Sequence, residues 1–131
     1  MTNRNVYQAA LGLVSERQAA TGNDDYEERA GYLLPVVCAR CARSDSLWRL
    51  ANGEDPHSLP QSCPWQLDDD FPLSVPFAAP AAAGLASLLV LEENSTLSQS
   101  LSDLGSALLS ELERGLAWQP EATANRYPEV L

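Results

Sequence analysis

The sequence predicts an all-α protein: a small bundle of about four helices, with a long irregular loop between helices two and three and an extended C-terminal arm. Three observations predict it. Phe77 to Leu91 is a run of fifteen residues without a charge, and Ser87 is its only polar side chain. Apolar residues recur at three- and four-residue spacing through Asn3–Arg17, Tyr26–Leu50 and Thr96–Arg114. Between the second of these and the uncharged run, Gly53, Pro56, Pro60, Pro64 and Pro72 interrupt any helical period.

The first helix is read over Asn3 to Arg17, with Val6, Ala9, Ala10, Leu13 and Val14 on one face. Thr21-Gly22-Asn23 breaks it. Asp24 or Asp25 is placed to cap the second helix, because Glu27 and Glu28 follow at the reciprocal capping-box spacing and put negative charge at a helix N-terminus.

Helix two runs from about Tyr26 to Leu50, with Tyr26, Ala30, Leu33, Leu34, Val37, Cys41 and Trp48 as its apolar stripe. Pro35 lacks a backbone donor and crowds the preceding turn, which predicts a kink or a break into two shorter helices. Arg29, Arg40 and Arg43 fall within about 60° of one another on a flank of this helix. On so acidic a chain, such a ridge is either a solvated face or a contact for carboxylates of a neighbouring copy.

The stretch 51–75 is an extended loop of a length that is unusual inside a compact domain. Trp65-Gln66-Leu67 and Phe71 give it apolar anchors or a short β-hairpin. Asp68-Asp69-Asp70 reads as a solvated turn, since it lacks the glycine and terminal glutamate of a calcium loop.

The uncharged run forms helix three. Leu85, Leu88, Leu89, Val90 and Leu91 point nearly all round its axis, so it is expected to be buried on every side, by its own domain or partly by another subunit. Its Ala81-Ala82-Ala83-Gly84 end admits close approach of a partner. Pro76 and Pro80, acidic flanks and a barely sufficient length argue against a membrane span.

Asn94-Ser95 ends helix three and caps helix four, which places Leu97, Leu101, Leu104, Leu108 and Leu112 on one stripe and stops near Gly115. The arm, 117–131, contains Pro120 and Pro128 yet keeps Trp118, Tyr127, Val130 and Leu131, apolar residues that call for a docking surface.

The 131 residues suffice for one domain, 1–131, with a core that needs no staples. Three cysteines and the lack of an uninterrupted apolar stretch in Met1–Glu16 point to a reducing cytoplasm. A formal charge of -10 disfavours nucleic acid and anionic membranes as partners, leaving proteins. All eight basic residues are arginines, so lysine chemistry is excluded.

A catalytic constellation is not evident in the sequence. Ser58 beside His57 has no nucleophile elbow around it, and Glu27-Glu28 and Glu92-Glu93 are adjacent pairs at helix ends, which do not face a common site. Cys38, Cys41, His57 and Cys63 are residue types that bind zinc tetrahedrally, but not at a known finger spacing. Cys38 and Cys41 also extend the buried stripe of helix two, where cysteine is a small apolar side chain. No catalytic, cofactor-binding or metal-ligating residues are expected.

The order of parts resembles the small head-tail connector proteins of tailed bacteriophages and their prophage relatives, also called head-completion or adaptor proteins. The likeness lies in four stretches: Val6-Tyr-Gln-Ala-Ala-Leu-Gly-Leu-Val14, Asp25-Tyr-Glu-Glu-Arg-Ala30, Gly84-Leu-Ala-Ser-Leu-Leu-Val-Leu-Glu-Glu-Asn94 and Arg126-Tyr-Pro-Glu-Val130. The loop from Pro56 to Pro72 carries none of it.

The resemblance implies a structural protein without catalysis. Copies would assemble as a ring of about a dozen under the portal, joining the portal protein to a tail-completion protein. The place would be the head-tail junction of the virion, and the bacterial host cytoplasm during assembly. In such proteins the helical body forms the ring wall, and a loop and a terminal arm reach neighbours.

Two other readings compete. One is a zinc-stabilised helical binding or regulatory module built on Cys38, Cys41, His57 and Cys63. The other is an acidic DNA mimic, which the clustering of acids at helix ends and at Asp68–Asp70 does not favour.

Overall fold

The computed structural model describes residues 1–14, 24–56 and 58–117. Four α-helices pack together: α1 (Asn3–Leu13), α2 (Asp24–Ala51), α3 (Ala78–Leu89) and α4 (Ser95–Ala117), with a 3-10 turn at Val75–Phe77 leading into α3. This is the all-α bundle read from the sequence. The expectations for Thr21–Asn23, for His57 and for the arm beyond Ala117 lie outside the described residues.

α3 is the axis of the bundle, and α1, α2 and α4 all pack on it. Pro80, Ala81, Ala82, Ala83, Leu85, Ala86, Ser87 and Leu89 are buried. The proline is tolerated because it sits in the first turn, where the backbone N–H has no helical partner to lose. Of the two expected sources of burial, its own domain supplies most, leaving Ala79 exposed near the start of the helix. Small residues allow that. Gly105 of α4 lies against Ala83, Gly84 and the Pro80 carbonyl, at ordinary contact distance of 3.5 Å for an added Cβ.

The one hydroxyl of the apolar run is also satisfied within the subunit. Ser87 Oγ donates to the Ser98 carbonyl and Ser98 Oγ donates to the Ser87 carbonyl, both at 2.8 Å, joining α3 to α4 in the core. At its C-terminal end α3 is capped from α2. The Arg29 guanidinium donates to the carbonyls of Leu88 (3.2 Å) and Leu89 (3.3 Å), and the buried Tyr26 hydroxyl donates to Glu93. A cation at a helix C-terminus is favourable both for the orphan carbonyls and for the helix dipole.

α1 is shorter than expected. It ends at Leu13, and Val14 is an extended cap residue. The buried face is Asn3, Val6, Tyr7 and Ala10 with Val14, while Ala9 is exposed and Leu13 largely so. The face is rotated from the expected one because Tyr7 brings far more apolar area into the core than Ala9. Thr2 and Asn5 form a capping box that fixes its start.

Pro35 does not break α2, which is one helix of 28 residues. Asp24 and Asp25 lie inside it, so neither is its N-cap. The inner stripe holds Tyr26, Ala30, Leu34, Val37, Cys38 and Cys41 in the core, with Leu33 and Trp48 half-buried beside them.

α4 begins as expected. Asn94 Oδ1 accepts the Leu97 N–H at 3.0 Å, and Asn94 O accepts that of Ser98 at 2.9 Å. It ends later than expected: Gly115 is exposed, with open space around its Cα, and the helix runs through it to Ala117. Leu101 is buried, Leu97, Leu108 and Leu112 are half-buried, and Leu104 is exposed.

The long loop is not a hairpin, and no strand occurs among the described residues. Its one β feature is a single antiparallel bridge between Thr2 and Asp70. Pro64 and Pro72 lack the donors a ladder needs. The segment is nonetheless extended, and alternation buries Trp65, Leu67, Phe71 and Leu73. It is stitched to the N-terminus by Arg4 N–H to Leu67 O (2.8 Å), Asn3 N–H to Asp69 O (2.9 Å) and Phe71 N–H to Met1 O (2.9 Å). Trp65, Leu67, Phe71 and Leu73 are therefore part of the core, while Gln66 and Asp68–Asp70 between them stay exposed.

Candidate functional site

The described residues with chemical potential do not converge. Cys38 and Cys41 sit in the core, whereas Cys63 is on the surface. Burial pushes the Cys38 thiol up to about 12 and the Cys41 thiol up to about 11, an environment that disfavours thiolate. Among the described residues, no three histidine, cysteine or acidic side chains gather as a metal site.

Glu27 pairs with Arg4 at 3.1 Å, Glu93 accepts from Tyr26, and Ser58 is exposed. Asp68–Asp70 is the solvated turn expected, and Asp68 accepts from Arg4 Nε at 3.0 Å. A surface depression of about 450 Å³ is open and holds this Arg4 bridge between Glu27 and Asp68. Among the described residues, no helix is long and apolar enough to cross a membrane.

Buried polar residues that the sequence reading missed hold the end of the loop. Asp45, only 3% exposed, accepts from Arg49 Nε at 2.9 Å and from the Ser74 N–H at 2.8 Å, while Arg49 Nη2 donates to Pro72 O at 3.2 Å. Their i,i+4 spacing was visible in the sequence, but it is equally that of an exposed pair. These contacts are structural: they dock the start of the 3-10 turn on α2.

Among the described residues, the outer side of α2 takes no part in packing the core. Tyr32 (52%), Val36 (47%), Leu47 (49%) and Leu50 (58%) are exposed, with Ala39, Arg40 and Arg43 between them. At 3.6 residues per turn these seven fall within about 100° of one another, a stripe as wide as the one a helix normally turns to a core. It lies opposite the inner stripe. α2 thus has two apolar faces, and the bundle uses one.

Of the arginine ridge, Arg29 is occupied by α3, and Arg40 and Arg43 remain on this outer face. A second apolar surface surrounds a groove of about 180 Å³ lined by Pro76, Ala79, Pro80, Leu108, Glu111 and Leu112, next to exposed Val75 and Leu104. Leu104 is about half a turn of α4 away from Ser102 and Ser106, which line a small cavity with Arg40 of α2. The two apolar surfaces therefore lie on different sides of the subunit.

No family model matches the chain, and no curated protein and no solved structure matches it.

Proposed function

We propose that the chain is an assembly subunit, a ring-forming head-tail connector that joins a portal to a tail and carries out no chemistry. The observation that carries this reading is the outer stripe of α2. Four large apolar side chains on one helix face, in two pairs with Ala39, Arg40 and Arg43 between them, are costly to leave in water, and exposed apolar surface of that kind marks association surfaces. The fold does not need them, since the inner stripe already fills the core.

Charge supports a contact between copies. Arg40 and Arg43 lie within the α2 stripe, Glu111 lines the groove on the other side, and both surfaces are otherwise apolar. Pairing one with the other on the next copy is a head-to-tail contact, and head-to-tail contacts that close make rings. A net charge of -10 suits the wall of a channel through which DNA must slide without adhering. The order of helices and the four stretches named above add the resemblance to phage connectors.

Mixing the purified chain with an isolated portal ring, and imaging the product by electron microscopy, tests the role. The proposal expects an added ring of density on the portal face. Portal rings that stay bare at saturating concentrations of the chain would reject it.

A further inference from the structure

Taking the outer face of α2 as the assembly surface, we propose that the chain's own arm, residues 118–131, covers that face in the single subunit and is the segment a second copy must displace. The arm's point of departure is fixed by α4. Buried Ser44 of α2 donates through Oγ to Glu113 of α4 at 2.7 Å, and α4 runs only four residues, about 6 Å, past Glu113. An open depression of about 340 Å³, lined by Arg43, Ser44, Leu47 and Glu113, lies at this junction. Arg43 and Leu47 belong to the outer stripe, so the arm leaves the bundle beside one end of it.

The order of residues in the arm matches the stripe run in reverse. From that end α2 presents Leu50 and Leu47, then Arg43 and Arg40, then Val36 and Tyr32, all exposed. The arm presents Trp118, then Glu121, then Tyr127 and Val130, with Arg126 as its one basic residue against Glu121 and Glu129. Apolar, acidic, apolar thus meets apolar, basic, apolar. Length agrees as well. Fifteen helical residues, about 22 Å, separate Leu47 from Tyr32, and the nine residues from Trp118 to Tyr127 reach about 30 Å when extended. Pro120 and Pro128 suit an extended segment better than a helix interior.

The groove beside Leu108 and Leu112 is also within reach of the arm, but it holds Glu111, a like charge to Glu121 and Glu129. The α2 face, with Arg40 and Arg43, is the complementary one. A segment tethered this close competes at an effective concentration on the order of millimolar. Weak contacts therefore suffice to keep the face covered, and a second copy engages only the uncovered fraction.

Methyl NMR and light scattering of the full-length chain, beside Trp118→Ser/Tyr127→Ser, test this. At a dilution where scattering gives one subunit, nuclear Overhauser contacts from the Trp118 and Tyr127 rings to the Val36, Leu47 and Leu50 methyls are expected. The variant should lose them, and its mass should begin to climb at a concentration about ten-fold lower, as for a face covered in about nine subunits of ten. Both substitutions fall beyond Ala117, and unshifted Leu85 and Leu89 methyl resonances would verify the fold. Absent contacts, contacts to Leu108 and Leu112 instead, or a threshold that stays or rises in the variant would overturn the proposal. The α2 face remains the assembly surface under those results if the parent still assembles and Val36→Asp/Leu50→Asp does not.

Discussion

The carbonyl of Gly31 accepts the backbone N–H of Trp65 at 2.9 Å. It is the carbonyl that Pro35, four residues on and without an N–H, cannot serve. The loop thus docks on α2 where the proline leaves an acceptor free, and α2 continues unbroken because that acceptor is satisfied. Glycine is needed at 31 for a second reason: a Cβ there would lie 2.8 Å from the Trp65 carbonyl oxygen.

Gly31→Ala should therefore destabilise the fold by about 1–3 kcal/mol, although alanine is the better helix former. Gly105→Ala should be neutral or stabilising by up to about 1 kcal/mol, since its Cβ would meet neighbours only at 3.5 Å. Urea denaturation of the two variants checks the opposite signs. Equal effects would mean that the loop does not rest on Gly31.

Asp45→Ala should cost about 3 kcal/mol, because it leaves the Arg49 guanidinium and the Ser74 N–H without their buried partner. Thermal melting reads the loss. Hydrogen exchange should localise it to residues 72–77, and loss spread evenly over the bundle would show that the pair does not act on the loop end.

The thiols give a pH dependence. Cys38 and Cys41 are neutral in folded and unfolded chains below about pH 9, so they leave stability unchanged there. Between that pH and about 12 the unfolded chain ionises first, and stability falls as the pH rises. Denaturant midpoints measured from pH 8 to 11 should show the decline, and Cys38→Ala/Cys41→Ala should flatten it. In the native protein iodoacetamide should label Cys63 quickly and the other two only as fast as the core opens.

Leu89→Asp should abolish folding of the subunit, since Leu89 is 1% exposed in the centre of the bundle and a charge there has no partner. Circular dichroism checks it. A parent-like melt would remove α3 from the core.

What the sequence disclosed and what it hid have physical reasons. The all-round apolarity of 77–91 pointed to the central helix, and Asn94 marked the start of α4, because both signals are local. Trp65 and Phe71 were legible as anchors. Their partners were not, since Gly31 and Met1 are distant in the chain. Pro35 pointed to a break because its satisfied acceptor is a tertiary contact. The outer stripe of α2 was hidden by the inner one: Tyr32, Val36, Leu47 and Leu50 have a helical period of their own, and nothing local says which face a bundle will cover. Asn3 and Asp45 look like surface residues until the loop is laid over them.

The proposed ring depends most on the outer face of α2 as its assembly surface. Light scattering of the full-length chain over a wide concentration range, beside Val36→Asp/Leu50→Asp, tests it directly. Both positions are exposed, so the variant should keep the parent's circular dichroism and melting temperature. The predicted result is a mass that climbs with concentration toward a closed ring in the parent and stays at one subunit in the variant. A parent that remains a monomer throughout, or a variant that assembles equally well, would contradict it.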